Sequence, residues 1–180
     1  MSDYPQLELS SAPATEPLTA SEVKNYLKVS GLDDDTLISN LITSVRQSAE
    51  NYMKISLISQ SWKLSFDSYC PSVVKLPMGP VQSITSVTAI SRDGTETVIS
   101  SDTYYLSAGN KALIFDATVA SLRVEIIYVA GYGDSASDVP AAIRQGILAH
   151  IAAIYDGRAG ASNVPEQARV MYGAYRVVRV

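Results

Sequence analysis

The sequence predicts an α+β protein: a small helical bundle of two N-terminal and two C-terminal helices, with an antiparallel β-domain inserted between the pairs. Two observations predict it. Apolar residues recur at helical spacing over residues 18–57 and again over 134–175. Between them, over residues 58–133, the pattern alternates every second residue and is broken by turn chemistry. Helices at both ends need each other to bury their stripes, so the β segment reads as an insertion.

Composition bounds the function. The chain has 180 residues, 47% hydrophobic and 18% charged, enough to bury a core and leaner in charge than an average soluble protein. Its net charge of −4 argues against a general nucleic-acid binder working through broad positive charge. The charge is uneven: residues 1–138 hold sixteen acids against nine bases, whereas residues 139–180 hold two acids against five arginines. A chain polarised in this way often meets different partners at its two ends. The single cysteine, Cys70, permits no internal disulfide. The N-terminal residues lack the basic and apolar regions of a signal peptide, and no apolar run approaches the ~20 residues that span a bilayer. Folding is therefore expected in the cytoplasm, with no membrane partner.

Residues 1–17 are polar and proline-containing and read as an extended N-terminal arm without a core of its own. The first helix starts at a capping box of Thr19 and Glu22, with Leu18 and Val23 placed as a hydrophobic staple, and Gly31 suits its stop. In the second helix Leu37, Ile38, Leu41, Ile42, Val45, Ala49, Tyr52 and Met53 trace one face. Asp33, Asp34 and Asp35 stand at its start, where carboxylates suit the positive end of the helix dipole.

Trp62, Leu64 and Phe66 then alternate with Lys63, Ser65 and Asp67, as in a strand with one buried face. Asp93-Gly94 and residues 107–111 are turn signals, and Leu122, Val124, Ile126 and Tyr128 share one side of the longest strand. The region reads as one antiparallel sheet from Ile58 to Ala130. Helical spacing returns in Ile143, Ile147, Ile151 and Ile154, with Asp138 as a cap and Pro140 in the first turn. A short last helix starts at Pro165, and residues 176–180 form a β-prone C-terminal tail.

Few residues could carry chemistry. With one histidine no His/Cys zinc cluster can form, and a nucleophile–His–acid triad would have to use His150. That residue lies on the apolar stripe of the third helix and reads first as a core or interface histidine. The three aspartates read as a solvated cap, because no EF-hand spacing follows. Residues 131–135, GYGDS, share only glycines with a phosphate loop. Cys70 and Trp62 read as packing residues. No catalytic residue, metal or cofactor is expected. Eleven tyrosines against two phenylalanines, many of them in the sheet and the last two helices, suit surfaces that become interfaces.

Three stretches together resemble a known family. LPMGPVQSITSV, YVAGYGDSASDVPAAIRQGILAHIAAIYDGR and VPEQARVMYGAYRVVRV are similar, in order and spacing, to head–tail connector (adaptor) proteins of tailed bacteriophages. With the capped N-terminal helices the likeness covers residues 18–180. It implies a structural virion protein in the neck, at the head–tail interface, assembled in the host bacterial cytoplasm. It further implies a ring of many copies, usually twelve, that docks the portal protein on one face and receives the stopper or tail-completion protein on the other. Double-stranded DNA would pass through the hole without sequence-specific binding. The family carries no catalytic residue and no cofactor.

Two local expectations follow. Pro77 and Pro80 precede a strand and withhold N–H donors, so this border should resist pairing with a stray strand. The basic C-terminal piece is the candidate portal- or partner-binding surface: Arg169, Tyr172, Tyr175, Arg176, Val177, Val178, Arg179 and Val180. A β-prone tail can add to a partner's sheet edge. The competing readings are another neck ring such as a stopper or tail-completion protein, a small hydrolase using His150, and a DNA-binding module using the C-terminal arginines.

Overall fold

The computed structural model describes residues 5–67, 69–117, 119, 123–157 and 163–177. It separates into two units, one of residues 1–13 with 59–131 and one of residues 14–58 with 132–180.

The first unit is all β. Its main sheet holds β1 (Gln6–Ser11), β2 (Gln60–Phe66), β4 (Val81–Ile90), β5 (Glu96–Val98) and β8 (Arg123–Ala130), in the order β1-β2-β8-β4-β5. All of its pairings are antiparallel. A second sheet holds β3 (Val73–Lys75), β7 (Ala112–Phe115) and β6 (Tyr104–Leu106), in that order. The single sheet expected from sequence is thus two, because β3 and β6 pair with β7 and not with the long strands. The arm expected at residues 1–17 is also corrected: residues 6–11 pair in register with β2, Gln6 opposite Ser65. Its sequence, QLELSS, hid this because only Leu7 sinks toward the core.

Alternation dictates the β core. Val124, Ile126, Tyr128 and Ala130 of β8 are buried in turn, against Leu64, Val81 and Val87. Leu122, expected on the same side, lies outside the described residues. Gly94 at φ 85° and Asn110 at φ 51° take the left-handed positions of the two hairpin turns that Asp93-Gly94 and residues 107–111 announced. The tyrosine hydroxyl of Tyr128 is buried and donates to the Pro77 carbonyl at 2.7 Å, pinning the proline segment onto the sheet.

The second unit is helical: α1 (Ala20–Leu27), α2 (Asp35–Met53), α3 (Ala141–Tyr155) and α4 (Glu166–Gly173). The capping box forms as the sequence indicates, Thr19 accepting from Glu22 N–H while the Glu22 carboxylate accepts from Thr19 N–H at 2.8 Å. These Thr19 contacts, assisted by Arg144, hold the Glu22 carboxyl below its ordinary value. The helix ends earlier than Gly31, at a left-handed Lys28, so a lysine takes the turn that glycine usually fills. Asp138 ends a short 3-10 turn, Ala136–Asp138, and accepts the N–H of its cap Ser135 at 3.0 Å instead of capping α3, and Pro140 sits at the cap position of α3.

The core of this unit joins Ile38, Ile42, Val45, Ala49 and Met53 of α2 to Ile143, Ile147 and Ile151 of α3 and Tyr172 of α4. The stripe of α2 differs from expectation at two points. Leu37 is 48% exposed, whereas Arg46 and Glu50 are buried. They are buried as partners: Arg46 donates to Glu50 at 2.8 Å and to Glu16 at 2.7 Å, and Glu50 accepts the Leu57 N–H at 2.9 Å. A hydrophobicity pattern cannot register a charge whose burial is paid for by another charge.

Candidate functional site

The C-terminal helix and tail hold the residues that the sequence singled out, and the structure separates them into three groups. Tyr172 is fully buried in the helical core and serves packing. It is corrected here from a partner-facing residue to a core one, because 3.6-residue spacing puts it on the same face as Ala168, also fully buried. Its ring lies 6.2 Å from that of Tyr52 and 6.4 Å from that of His150.

Arg169, Tyr175, Arg176 and Val177 remain at the surface. Arg169 is exposed, donates to the Val164 carbonyl at 3.2 Å and faces Glu166 at 3.4 Å. Tyr175 is half-buried against the helical core. Arg176 stacks its guanidinium 4.9 Å from the centre of the Tyr52 ring, and the Val177 N–H donates to the Met53 carbonyl at 2.9 Å. These contacts moor the start of the tail to the last turn of α2. Val178, Arg179 and Val180 lie outside the described residues.

Sequence reasoning missed Val170, which is 73% exposed beside Arg169. A valine on the polar face of a short helix was the available signal. Met53 and Tyr52 were placed correctly on the α2 stripe, but nothing local indicates that a tail 120 residues later would use them.

The other candidates fall into structural roles. His150 is fully buried, and among the described residues neither ring nitrogen makes a hydrogen bond. Burial holds its pKa below the ordinary 6.5; the Asn163 backbone opposes this in part, with geometry short of a hydrogen bond. Among the described residues no carboxylate, hydroxyl or thiol is hydrogen-bonded to it, as a triad would need. Asp34 accepts from the Tyr155 hydroxyl at 2.7 Å and Asp35 pairs with Lys24. Cys70 is buried, which pushes its thiol up to about 11 and leaves it unreactive. Among the described residues no group of three metal-ligating side chains converges, and no helix is long and apolar enough to cross a membrane. A shallow cleft of 430 Å³ between α1 and α3 is lined by Leu18, Glu22, Tyr26, Arg144 and Leu148, its polar rim fixed by the Arg144–Glu22 pair.

Comparison with known proteins agrees with this picture. The model of the head completion protein family matches residues 16–149. A chain from the neck of an empty GTA particle, computed with C6 symmetry, superposes with a TM-score of 0.82 at 24% identity, over 97% of each chain. Chains from the virion of a native gene transfer agent (GTA) particle and from the native neck computed with C12 symmetry superpose with TM-scores of 0.79 and 0.74, at the same 24% identity and 97% coverage of each chain. Among curated proteins none matches. The solved structures share the fold, including the inserted sheet.

Proposed function

The chain belongs to the head completion protein family, and on that premise we propose that it is the subunit of the connector (adaptor) ring in the virion neck, between the portal and the stopper or tail. The observation that carries this reading is the likeness, end to end, to a chain of a phage-like particle's neck. A neck computed with C12 symmetry supports a ring of twelve copies. The work of such a subunit is to hold neighbours, and the burial of His150 and Cys70 leaves neither poised for bond chemistry.

The exposed basic residues of the tail support a role in docking the portal. Arg169 and Arg176 offer two cations next to Val170 and Val177, a mixture suited to an interface. Beyond Val177 the chain VRV can extend as a strand onto a partner's sheet edge. The acidic body, of net charge −7 over residues 1–138, supports passage of DNA, since a positive wall would hold phosphates.

The test mixes the full-length chain with the portal of its own particle and weighs the complex. A portal-bound ring is expected, and its absence would overturn the reading. Removal of residues 176–180 should abolish docking while the truncated chain keeps a cooperative melting transition; normal docking would remove the tail from the portal contact and leave the ring.

A further inference from the structure

The main sheet has two open edges, and they complement each other. β1 has β2 on one side and no described strand on the other, with five of its six residues exposed. β4 is ten residues long, but β5 pairs only with Thr88, Ala89 and Ile90. Over residues 82–86 the backbone of β4 faces β8 on one side and no described strand on the other. Pro77 and Pro80 guard only the approach, because both precede the strand.

Natural proteins blunt such edges with charge or proline inside the strand. Neither strand is blocked by an unpaired charge or an internal proline. VQSITSVTAI carries no charge and no proline, and the one charge of QLELSS, Glu8, is held by Lys63 at 3.0 Å. Strand directions also fit. All neighbours in the sheet are antiparallel, so β1 and β4 run in opposite senses. A copy of β1 laid along β4 would continue the antiparallel sheet. Both strands carry bulges, at Leu9/Ser11 in β1 and at Val81/Ser83 and Ile84/Ser86 in β4, so a partner strand must follow a bent edge.

We infer that β1 of one subunit pairs with residues 82–86 of β4 in the next, so that the sheet runs on from copy to copy around the ring. This inference rests on the ring assembly proposed above. Each chain carries one edge of each kind, so the contact is head-to-tail, and where its rotation divides a full turn such a contact closes into a ring with no edge left over. The occupant is a second copy because every chain carries both edges, opposite in strand sense and without an unpaired charge, so copies complement one another.

Disulfide trapping tests it in the full-length chain assembled on its portal. Glu8→Cys is combined in turn with Gln82→Cys, Ser83→Cys, Ile84→Cys and Thr85→Cys, which covers adjacent registers. Within one chain these positions lie across β2 and β8, roughly 14 Å apart at the usual strand spacing, beyond disulfide reach. Any bridge formed is therefore between chains. Oxidation should give a ladder of covalent multimers reaching the full ring in at least one combination, and none beyond dimer with either cysteine alone. Thr85→Lys should reduce ring yield at least tenfold while leaving the melting temperature of the free chain unchanged. Rings that assemble normally yet give no ladder in any combination, or bridges only to another neck protein, overturn the inference and leave the ring reading intact. Failure of the unmodified chain to form a ring overturns both.

Discussion

Tyr172 of α4 occupies the space that a side chain on Gly146 of α3 would fill: a Cβ there would stand 2.6 Å from Tyr172 Cε1 and 3.3 Å from the Met171 Cβ. The glycine costs α3 helix propensity, about 1 kcal/mol relative to alanine. It returns close approach of the two helices and burial of the largest side chain on α4.

Gly146→Ala therefore sets a gain in propensity against an overlap with a ring that has little room to move. An approach of 2.6 Å to a buried ring belongs at the upper end of the about 1–3 kcal/mol that overpacking costs, so net of the propensity gain the expectation is a loss of about 1–2 kcal/mol and a fall in Tm of about 2–8 °C. Gly173→Ala, where nothing lies within 4 Å, is the control and should not lower Tm. Differential scanning calorimetry on both variants decides it; an unchanged or raised Tm in Gly146→Ala would refute the packing argument.

Glu50 is the hinge of the polar network under α2. It takes a hydrogen bond from Arg46 and one from Leu57 N–H, and both Arg46 and Glu50 are 5% exposed. Glu50→Ala leaves the buried Leu57 N–H unpaired and Arg46 with Glu16 as its remaining carboxylate partner, a loss of about 3 kcal/mol. Glu16→Ala, whose carboxylate is 29% exposed, should cost much less. Urea titration of the two variants should rank them in that order, and equal losses would contradict it.

The Tyr128 hydroxyl has a narrower task. Tyr128→Phe keeps the ring and removes the donor to the Pro77 carbonyl. The expected loss is about 1–2 kcal/mol, with faster amide exchange confined to residues 76–80. No change in exchange there would mean that the proline segment is held by other contacts.

The pH dependence of stability should carry the signature of His150. Burial depresses its folded-state pKa below 6.5, the opposite of a histidine that gains an anion. Below pH 6.5 the unfolded chain takes up a proton that the folded chain refuses, so stability is full above that pH and falls as pH drops toward the folded-state value, by up to about 1.4 kcal/mol per pH unit. His150→Leu should flatten the profile between pH 7 and 5. A profile equally steep in both proteins would refute the assignment.

Local signals explain which parts of this fold were legible in the sequence. Thr19 with Glu22, the isoleucine ladder of α3 and the Asp93-Gly94 turn each act within a few residues, and the structure contains all three. Features fixed at a distance were not legible. β1 is a strand because β2 lies 50 residues later, and Arg46 is buried because Glu16 reaches it from outside the helix. The candidate surface shows the same division. Arg169 and Arg176 could be read as exposed cations, whereas Tyr172 shares a face with Ala168 but the room for its ring is made by Gly146 on another helix.

The interleaving of the two units has a consequence for biogenesis. β1 is made long before β8, so its sheet is complete only when Ala130 has been added, and α2 waits for α3 and Tyr172. Neither core can close while translation is under way over most of the message, so the nascent polypeptide exposes greasy surface throughout elongation. Its contacts are largely between distant segments, which slows the search further. That exposure ends only when the late segments, β8 for the sheet and Tyr172 for the helices, have been added.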